Sequence, residues 1–228
     1  QPLGQRVRLT AAAWLDHRHG PEQPVAGLRD FVTLPPNSNP RTLRWAAELR
    51  SRLGQQASAT ELSDAVLRHI RVAGFTYTLE PGPYDGHAID EFWFERKLGF
   101  CEHFASAYVV VMRAMDVPAR VVTGYQGGER NSVDSFIVVR QSDAHAWAEV
   151  WLPAEGWRRV DPTAAILPSR VERGLADLAA GEPVPFVARA DLGWLRTLRH
   201  RWEAANNAWN QWVLSYDQQR QRELLSRL

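Results

Sequence analysis

The chain has 228 residues, of which 45% are hydrophobic and 23% are charged, and this is the composition of a globular protein with a sizeable core. Lysine and arginine number 27 and aspartate and glutamate 26, so the formal net charge is +1, and we expect no nucleic-acid partner held by phosphate neutralisation. The sequence has no apolar run near the ~18 residues that span a bilayer and no visible signal peptide.

The pattern of residues 1–34 predicts no definite helix or strand, and we treat them as an N-terminal extension. Two histidines flank an arginine at His17–His19, a spacing that hints only weakly at metal binding. A glycine and a proline follow immediately, which is typical of a loop. We therefore expect this motif to be an exposed loop and not a metal site.

Two amphipathic helices are predicted next, after a proline- and asparagine-rich breaker. Proline directly follows Asn39, which is typical of a helix cap and first turn, and the helix is predicted to end at Gly54. Ser58 and Glu61 have the spacing of a capping box, which predicts a second helix that ends at Gly74.

The middle of the chain changes from helices to strands. Phe75–Leu79 is predicted as a short strand, and residues 90–97 as one or two helical turns. A helix is predicted from Cys101 to Pro118, because apolar side chains recur at helical spacing and proline cannot continue the helix. Four strand candidates follow, at residues 120–125, 135–140, 145–152 and 157–161. Helices followed by an antiparallel sheet predict an α+β fold, with the core over residues 35–165.

The last part, residues 166–228, is predicted as an irregular segment followed by a long tryptophan-rich helix packed on the core. A further short helix is predicted around Val171–Ala180. The long helix carries a stripe of apolar side chains at helical spacing: Trp194, Leu198, Trp202, Ala205, Trp209, Val213 and Tyr216. The favoured interpretation is that this stripe is buried against the domain. The alternative is a helix that binds a partner or lies beside a membrane.

Cys101 is the single cysteine of the chain, so it cannot form an intramolecular disulfide. It stands where a helix is predicted to begin, and the unpaired N–H groups and dipole of that end favour a thiolate. The backbone N–H of Cys101 is also suited to bind an oxyanion. A lone cysteine is equally common as a small buried hydrophobic residue, and its position alone does not separate the two interpretations.

A nucleophilic thiol needs a base, and His145 is a better candidate than His103. Side chains two residues apart on a helix point about 200° apart, so His103 is expected to face away from Cys101. His145 opens a predicted strand whose other face carries alanines, which permit close packing. A structural histidine is the alternative for this residue.

Asp161 is the candidate third residue, at the end of the next predicted strand. If Trp151 pairs with Trp157 across the hairpin, position 147 faces 161, and His145 becomes the diagonal neighbour of Asp161 on the same face. A one-residue bulge would separate them. Nucleophile, base and orienting carboxylate are then the roles predicted for Cys101, His145 and Asp161.

Four sequence blocks resemble the transglutaminase core family, in the family's order. They are Gly99–Ala107, Val117–Tyr125, Ala144–Trp151 and Gly156–Thr163. The flanks resemble the bacterial, membrane-anchored TgpA-type members less closely. The resemblance implies a papain-like transglutaminase core with helices packed on an antiparallel sheet, and a Cys101–His145–Asp161 triad.

The implied reaction transfers the acyl group of a protein glutamine amide to a lysine or other amine through a Cys101 thioester. A cysteine peptidase or amidase on the same triad, or a non-catalytic binding module, are the alternatives. Family members often use a tryptophan upstream of the cysteine as an oxyanion donor; Trp93 is the nearest candidate, although a core position is favoured for it.

No metal or other cofactor is expected, because the sequence carries no EF-hand loop and no dense acidic cluster. The expected partners are a protein or peptide glutamine donor and an amine acceptor. By the same resemblance, the chain is expected to be the periplasmic domain of a bacterial inner-membrane protein, continuing into membrane-spanning segments that lie outside it.

Overall fold

The computed structural model describes residues 10–14, 18–166 and 193–214, with side chains over 197–208 in the last range. These residues fall into two compact units. The larger unit comprises the described residues of 17–127 and 140–182, and the smaller unit those of 1–16, 128–139 and 183–228. The helix predicted at 171–180 lies outside the described residues, and the three-part division of the chain stays a prediction.

Helices α1 (Pro40–Leu53) and α2 (Ala59–Val72) begin and end as predicted. Ser58 and Glu61 form the predicted capping box, in which each side chain accepts from the other's backbone N–H. Asn39 and Pro40 occupy the predicted N-cap and first helical positions, but Asn39 adopts a left-handed conformation and its side chain makes no cap hydrogen bond to α1.

The first turn of α1 is capped by a residue from another part of the chain. The Asp90 carboxylate accepts the backbone N–H groups of Arg41 and Thr42 at 3.0 and 2.7 Å, and the Thr42 hydroxyl at 2.6 Å. Asn39 Oδ1 in turn accepts the N–H groups of Ile89 and Asp90. Each segment therefore supplies the cap that the other lacks, and a purely local reading of the sequence assigns the wrong cap.

Between α2 and the next long helix, the chain forms short elements. Strand β1 (Thr76–Tyr77) pairs in parallel with β2 (Leu98–Gly99). Strand β1 is shorter than the strand predicted over residues 75–79. Helix α3 (Ala88–Asp90) continues into a π-helical turn, Glu91–Arg96. Helix α4 (Cys101–Ala114) follows directly after β2, so Cys101 is its first residue, as predicted.

Three long strands form an antiparallel sheet in the order β3–β6–β7, with β3 at Ala119–Tyr125, β6 at Ala144–Leu152 and β7 at Gly156–Val160. Trp151 pairs with Trp157, which confirms the predicted hairpin register. Helix α4 packs on the alanine-bearing face of β6, where Ala148 and Val150 join the main hydrophobic core. Small side chains at these positions let the helix approach closely. The predicted α+β fold, with helices on an antiparallel sheet, is confirmed.

Residues 18–34 of the N-terminal extension, which belong to the larger unit, pack on the tips of β6 and β7. The Trp157 N–H donates to the carbonyl of His19, and the Trp151 indole N–H donates to the carbonyl of Pro21. Leu28 packs with the two tryptophans in a small cluster of its own. Two of the ten tryptophans therefore hold this segment on the hairpin.

The smaller unit contains a two-stranded ribbon, β4 (Glu129–Arg130) with β5 (Ile137–Val138), and helix α5 (Gly193–Leu214). Buried His200 connects them, because its ring bonds Glu129 at 2.7 Å and its carbonyl accepts from Asn131. Strand β5 occupies two of the six residues predicted as strand at 135–140. None of the helices in the described ranges has the length and apolarity needed to cross a membrane.

The stripe predicted to be buried on α5 is wrong at its described members. Leu198 and Trp202 are exposed, whereas His200 and Ala204 are buried. Ala205 is exposed as well. The buried face is set by the polar contacts of His200, which hydrophobic periodicity does not register. Packing of this helix on the core stays a prediction.

Candidate active site

Cys101 lies at the N-terminal end of α4, next to the start of strand β6. It is 6% exposed and packs with Ala105 of its own helix and Ala146 of the strand. The two alanines leave room for the helix end and the strand to meet at this point. The thiol therefore packs against the start of β6, at Ala146, the residue that follows His145.

His145 lies between Cys101 and Asp161. Its Nε2 is 2.6 Å from Asp161 Oδ2, and Cys101 is near enough to contribute to the raised pKa of its ring. Since Ala148 pairs with Val160, Asp161 stands beyond the last residue of β7, diagonal to His145. The structure thus joins His145 to Asp161 and packs Cys101 against Ala146, the residue that follows His145; their common role as a triad stays a prediction.

Two further contacts hold the Asp161 carboxylate. Its Oδ1 accepts the backbone N–H of Thr163 at 3.2 Å, which caps the short 3₁₀ turn Pro162–Ala165. The Arg159 guanidinium lies 3.6 Å from Oδ2, the same oxygen that His145 contacts. Backbone amide, guanidinium and imidazole surround one carboxylate that is 8% exposed, so its position is fixed from three directions.

The pKa of His145 is raised to about 9. Burial acts in the opposite direction, but the hydrogen bonds and charges of Asp161 and Cys101 outweigh it. A protonated imidazole between a carboxylate and a sulfur gains from both neighbours, because each carries or can carry negative charge. The site therefore favours imidazolium at neutral pH.

Trp147 and Arg159 form a layer beside the histidine. The Trp147 ring is stacked on the His145 ring at 6.3 Å and 28°, and the Arg159 guanidinium lies 4.2 Å from the Trp147 ring centroid. Gly124, opposite His145 on β3, leaves the space that the Trp147 ring fills, since a Cβ there would lie 2.9 Å from it. This packing restricts the rotation of the imidazole.

Trp93, the sequence-based oxyanion candidate, lies in the main core. It is 1% exposed and its ring contacts Trp45, His69 and Phe75. Cys101 belongs to a separate small cluster with Ala105 and Ala146. Both observations agree with the core position that the sequence analysis favoured for Trp93.

The sequence analysis gave Arg159 and Trp147 no part in the site. The alternation of side chains along β6 and β7 was the signal that could have found them. The contact of Thr163 could not be predicted in this way, because it is made by the backbone N–H and does not depend on the side chain. No cluster of three or more metal-binding side chains occurs within the part of the chain that the structure describes.

A comparison with family models matches residues 44–162 to a family described as the transglutaminase-like superfamily. Over 235 aligned residues the chain is 37% identical to a protein-glutamine gamma-glutamyltransferase of Pseudomonas aeruginosa. The alignment includes all of this chain and 35% of that protein, so the chain spans about a third of its relative's length. A Bacillus subtilis protein, the uncharacterized YebA, is 39% identical over 106 residues, which cover 43% of this chain and 14% of that protein.

Among solved structures, the chain is similar to the crystal structure of the periplasmic domain of TgpA from Pseudomonas aeruginosa. The TM-score is 0.65 at 41% identity, and the match covers 68% of this chain and 54% of that one. The same domain bound to ethylmercury matches with a TM-score of 0.63 at 40% identity, covering 67% of this chain and 54% of that one.

Proposed function

Because the chain belongs to the transglutaminase-like superfamily, we propose that it catalyses acyl transfer from a glutamine side-chain amide to an amine through a thioester on Cys101. The observation that carries the proposal is the 2.6 Å contact of His145 with Asp161 at the start of β6, where Cys101 packs against the adjacent Ala146. A thiol, an imidazole and a carboxylate in this order supply a nucleophile, a proton carrier and an orienting group.

The first half-reaction forms the thioester. The Cys101 sulfur attacks the amide carbon of glutamine, an S–C bond forms, and the carbonyl oxygen becomes an oxyanion. His145, as imidazolium, donates its proton to the amide nitrogen, the C–N bond breaks, and ammonia leaves. The raised pKa of His145 supports this step, because the acid form is present at neutral pH before substrate binds.

The second half-reaction releases the acyl group. The now neutral His145 accepts a proton from the incoming amine, whose nitrogen attacks the thioester carbon; an isopeptide bond forms and the Cys101 thiolate leaves. Water at the same position gives the free acid, that is, deamidation of the glutamine. We assign stabilisation of both oxyanions to the Cys101 backbone N–H, in the first turn of α4. We assign Trp93 no role in stabilising the oxyanions, because its ring contacts are those of a core residue.

Asp161 keeps the imidazole in the productive tautomer and orientation. With Nε2 directed to the Asp161 carboxylate, Nδ1 is the nitrogen left for the sulfur side. Thr163 and Arg159 hold the carboxylate in turn, so the histidine is positioned by residues that transfer no proton in either step. Such indirect support is typical of triads.

The natural setting is proposed from the same family. The chain covers about a third of a longer Pseudomonas relative, and the similar solved structure is that of the periplasmic domain of TgpA. We propose that this chain is likewise the periplasmic domain of a bacterial inner-membrane protein, acting on protein or peptide glutamines and lysine amines.

The deciding experiment supplies a glutamine peptide with a labelled amine and compares the chain with its Cys101→Ala variant. Amine incorporation that disappears in the variant supports acyl transfer. Free acid or cleaved peptide without incorporation would assign the triad to a hydrolase instead. A chain and variant that behave identically in every assay would leave only a non-catalytic binding role.

A further inference from the structure

Strand β3 lies at an edge of the three-stranded sheet. In the order β3–β6–β7, its one partner among the described strands is β6. An edge strand presents unpaired N–H and C=O groups to which another extended chain can add. The hydrogen bonds at the two ends of the β3–β6 ladder determine which residues supply these groups.

Every second residue of β3 directs its backbone groups away from β6. Beyond the two ends of β3, the N–H of Trp151 donates to the carbonyl of Pro118 and the N–H of Gln126 donates to the carbonyl of Asp143, each at 2.9 Å. The register between these two bonds is unbroken, and hydrogen-bonded positions alternate along an antiparallel ladder. The outward residues that follow Ala119, which we call the edge strip, are Val121, Thr123 and Tyr125.

The edge strip is open to solvent. The outward carbonyl that precedes it, that of Ala119, accepts from Arg113 Nε at 2.8 Å and is thereby occupied. The backbone groups of the edge strip bond to no other residue that the structure describes. Tyr125 is 56% exposed and Val121 is 41% exposed, and Thr123 is exposed as well. Three outward positions in a row therefore offer an N–H and a C=O to a partner strand.

The side chains of the edge strip lie on the same face of the sheet as Cys101. Thr123 pairs directly with Ala146, and Ala146 packs against Cys101. Because directly opposed residues project to the same face, the Thr123 side chain and the thiol share that face. Gly124, the next residue of β3, pairs with His145. The open edge is thus continuous with the candidate active site.

A glutamine opposite Thr123 on an added strand lies within reach of the thiol. Two strand spacings, about 10 Å, separate the Cα of such a glutamine from that of Ala146. The extended glutamine side chain carries its amide carbon about 4 Å from its own Cα. Contact of the sulfur with Ala146 at about 4 Å and a reacting distance of about 3 Å cover the remainder.

We propose that the glutamine donor binds as an added strand on β3, with its backbone paired to the edge strip and its glutamine opposite Thr123. The inference rests on the proposed acyl transfer and specifies its donor. Donor residues two positions before and after the glutamine project to the same face and pack on Val121 and Tyr125. The donor class is therefore an extended peptide with apolar residues at these two positions, and not a glutamine held in a helix.

The kinetic test compares a glutamine dipeptide with a heptapeptide that has a central glutamine and a valine two positions to either side. We expect kcat/KM for the heptapeptide to be about tenfold higher, because main-chain hydrogen bonds and two apolar contacts add to its binding. Val121→Asp should reduce this ratio below about threefold and leave kcat/KM for the dipeptide within about twofold. Val72→Asp is the matched control, since Val72 is exposed at the end of α2, and it should keep the ratio.

N-methylation of the heptapeptide tests the pairing on the unmodified chain. In an antiparallel pair, the donor residues opposite the edge strip direct their own N–H groups to β3. A methyl group on the nitrogen of the residue two positions before the glutamine should lower kcat/KM about tenfold, and a methyl group on the next nitrogen should change it less than about twofold. The reverse order would support a parallel strand on the same edge. Equal effects at both positions, or equal use of heptapeptide and dipeptide, would overturn the inference.

Hydrogen exchange in the Cys101→Ala variant separates this inference from the proposed function. At saturating heptapeptide, the amides of the edge strip should exchange at least about fivefold more slowly, whereas those of Val122 and Gly124, already bonded to β6, should change little. Protection without any amine incorporation by the unmodified chain would refute acyl transfer but retain the edge. Acyl transfer without protection would refute the edge alone. Edge-strip amides already protected in the free chain would assign the edge to another segment or a second copy, and would also overturn the inference.

Discussion

Replacing Asp161 by asparagine is the most direct test of how the site works. The carboxylate lies 2.6 Å from His145 and is 8% exposed, so the substitution removes a buried charge while keeping nearly the same shape. The pKa of His145 stands at about 9 instead of 6.5. At about 1.36 kcal/mol per pKa unit, its partners stabilise the imidazolium by roughly 3 kcal/mol beyond the cost of burial.

Asp161 is the largest of the contributions that raise this pKa. If most of the Asp161 contribution is lost, a transition state that needs a protonated imidazole loses roughly 2–3 kcal/mol of stabilisation. This corresponds to a rate factor of about 10². An amide can also donate to Nε2, which stabilises the wrong tautomer, and the combined loss in triads of this type is about 10³–10⁴. We therefore expect kcat/KM for Asp161→Asn to fall by that larger factor.

The assay measures ammonia release from a glutamine dipeptide at pH 7, with thermal melting to verify folding. Asp30→Asn is the matched control, because Asp30 is exposed and lies outside the site. Asp161→Asn should still melt cooperatively, about 5–10 °C below the unmodified chain because the imidazolium loses its main partner, yet turn over about a thousandfold more slowly. A folded Asp161→Asn variant with near-normal kcat/KM would show that the carboxylate does not orient the histidine.

Three further outcomes are expected. Cys101→Ala should reduce ammonia release to the uncatalysed rate without lowering the melting temperature by more than a few degrees, since alanines already surround the thiol. Because the pKa of His145 is raised on folding, its protonated ring contributes to the free energy of unfolding. This contribution should be complete below pH 6.5 and lost as the pH rises through about 9. Urea denaturation of the unmodified chain and of His145→Gln at several pH values measures it. Asp90→Ala should lower the free energy of unfolding by about 2–4 kcal/mol, because three donors at the start of α1 lose a buried acceptor; a loss below 0.5 kcal/mol, about that of a surface change, would contradict this account.

The sheet and its register could be predicted because the signals are local. The hairpin loop after Leu152 fixes the pairing of Trp151 with Trp157, and strand alternation then places His145 and Asp161 on one face. Helix α4 likewise begins at Cys101 as its spacing predicts. These features depend on neighbours within about 20 residues, where periodicity and turn chemistry decide the outcome.

The features that escaped prediction depend on distant partners. Asp90 caps α1 from about 50 residues away, and no local pattern distinguishes it from an ordinary surface acid. Strand β1 is limited to two residues because its partner β2 is equally short. On α5, the contact of His200 with Glu129 determines which face is buried, against the hydrophobic stripe. A cleft between residues 84–92 and the first turns of α4 likewise forms only in the folded chain.

Because Asn39 and Asp90 each cap the other's helix, the starts of α1 and α3 should open and form together. Neither the start of α1 nor the start of α3 can unravel alone without exposing the donors of the other. The amide hydrogens of Thr42 and Ile89 should consequently exchange with deuterium in one shared opening event. During folding, both helix ends should become ordered together, after the chain has closed a loop of about 50 residues.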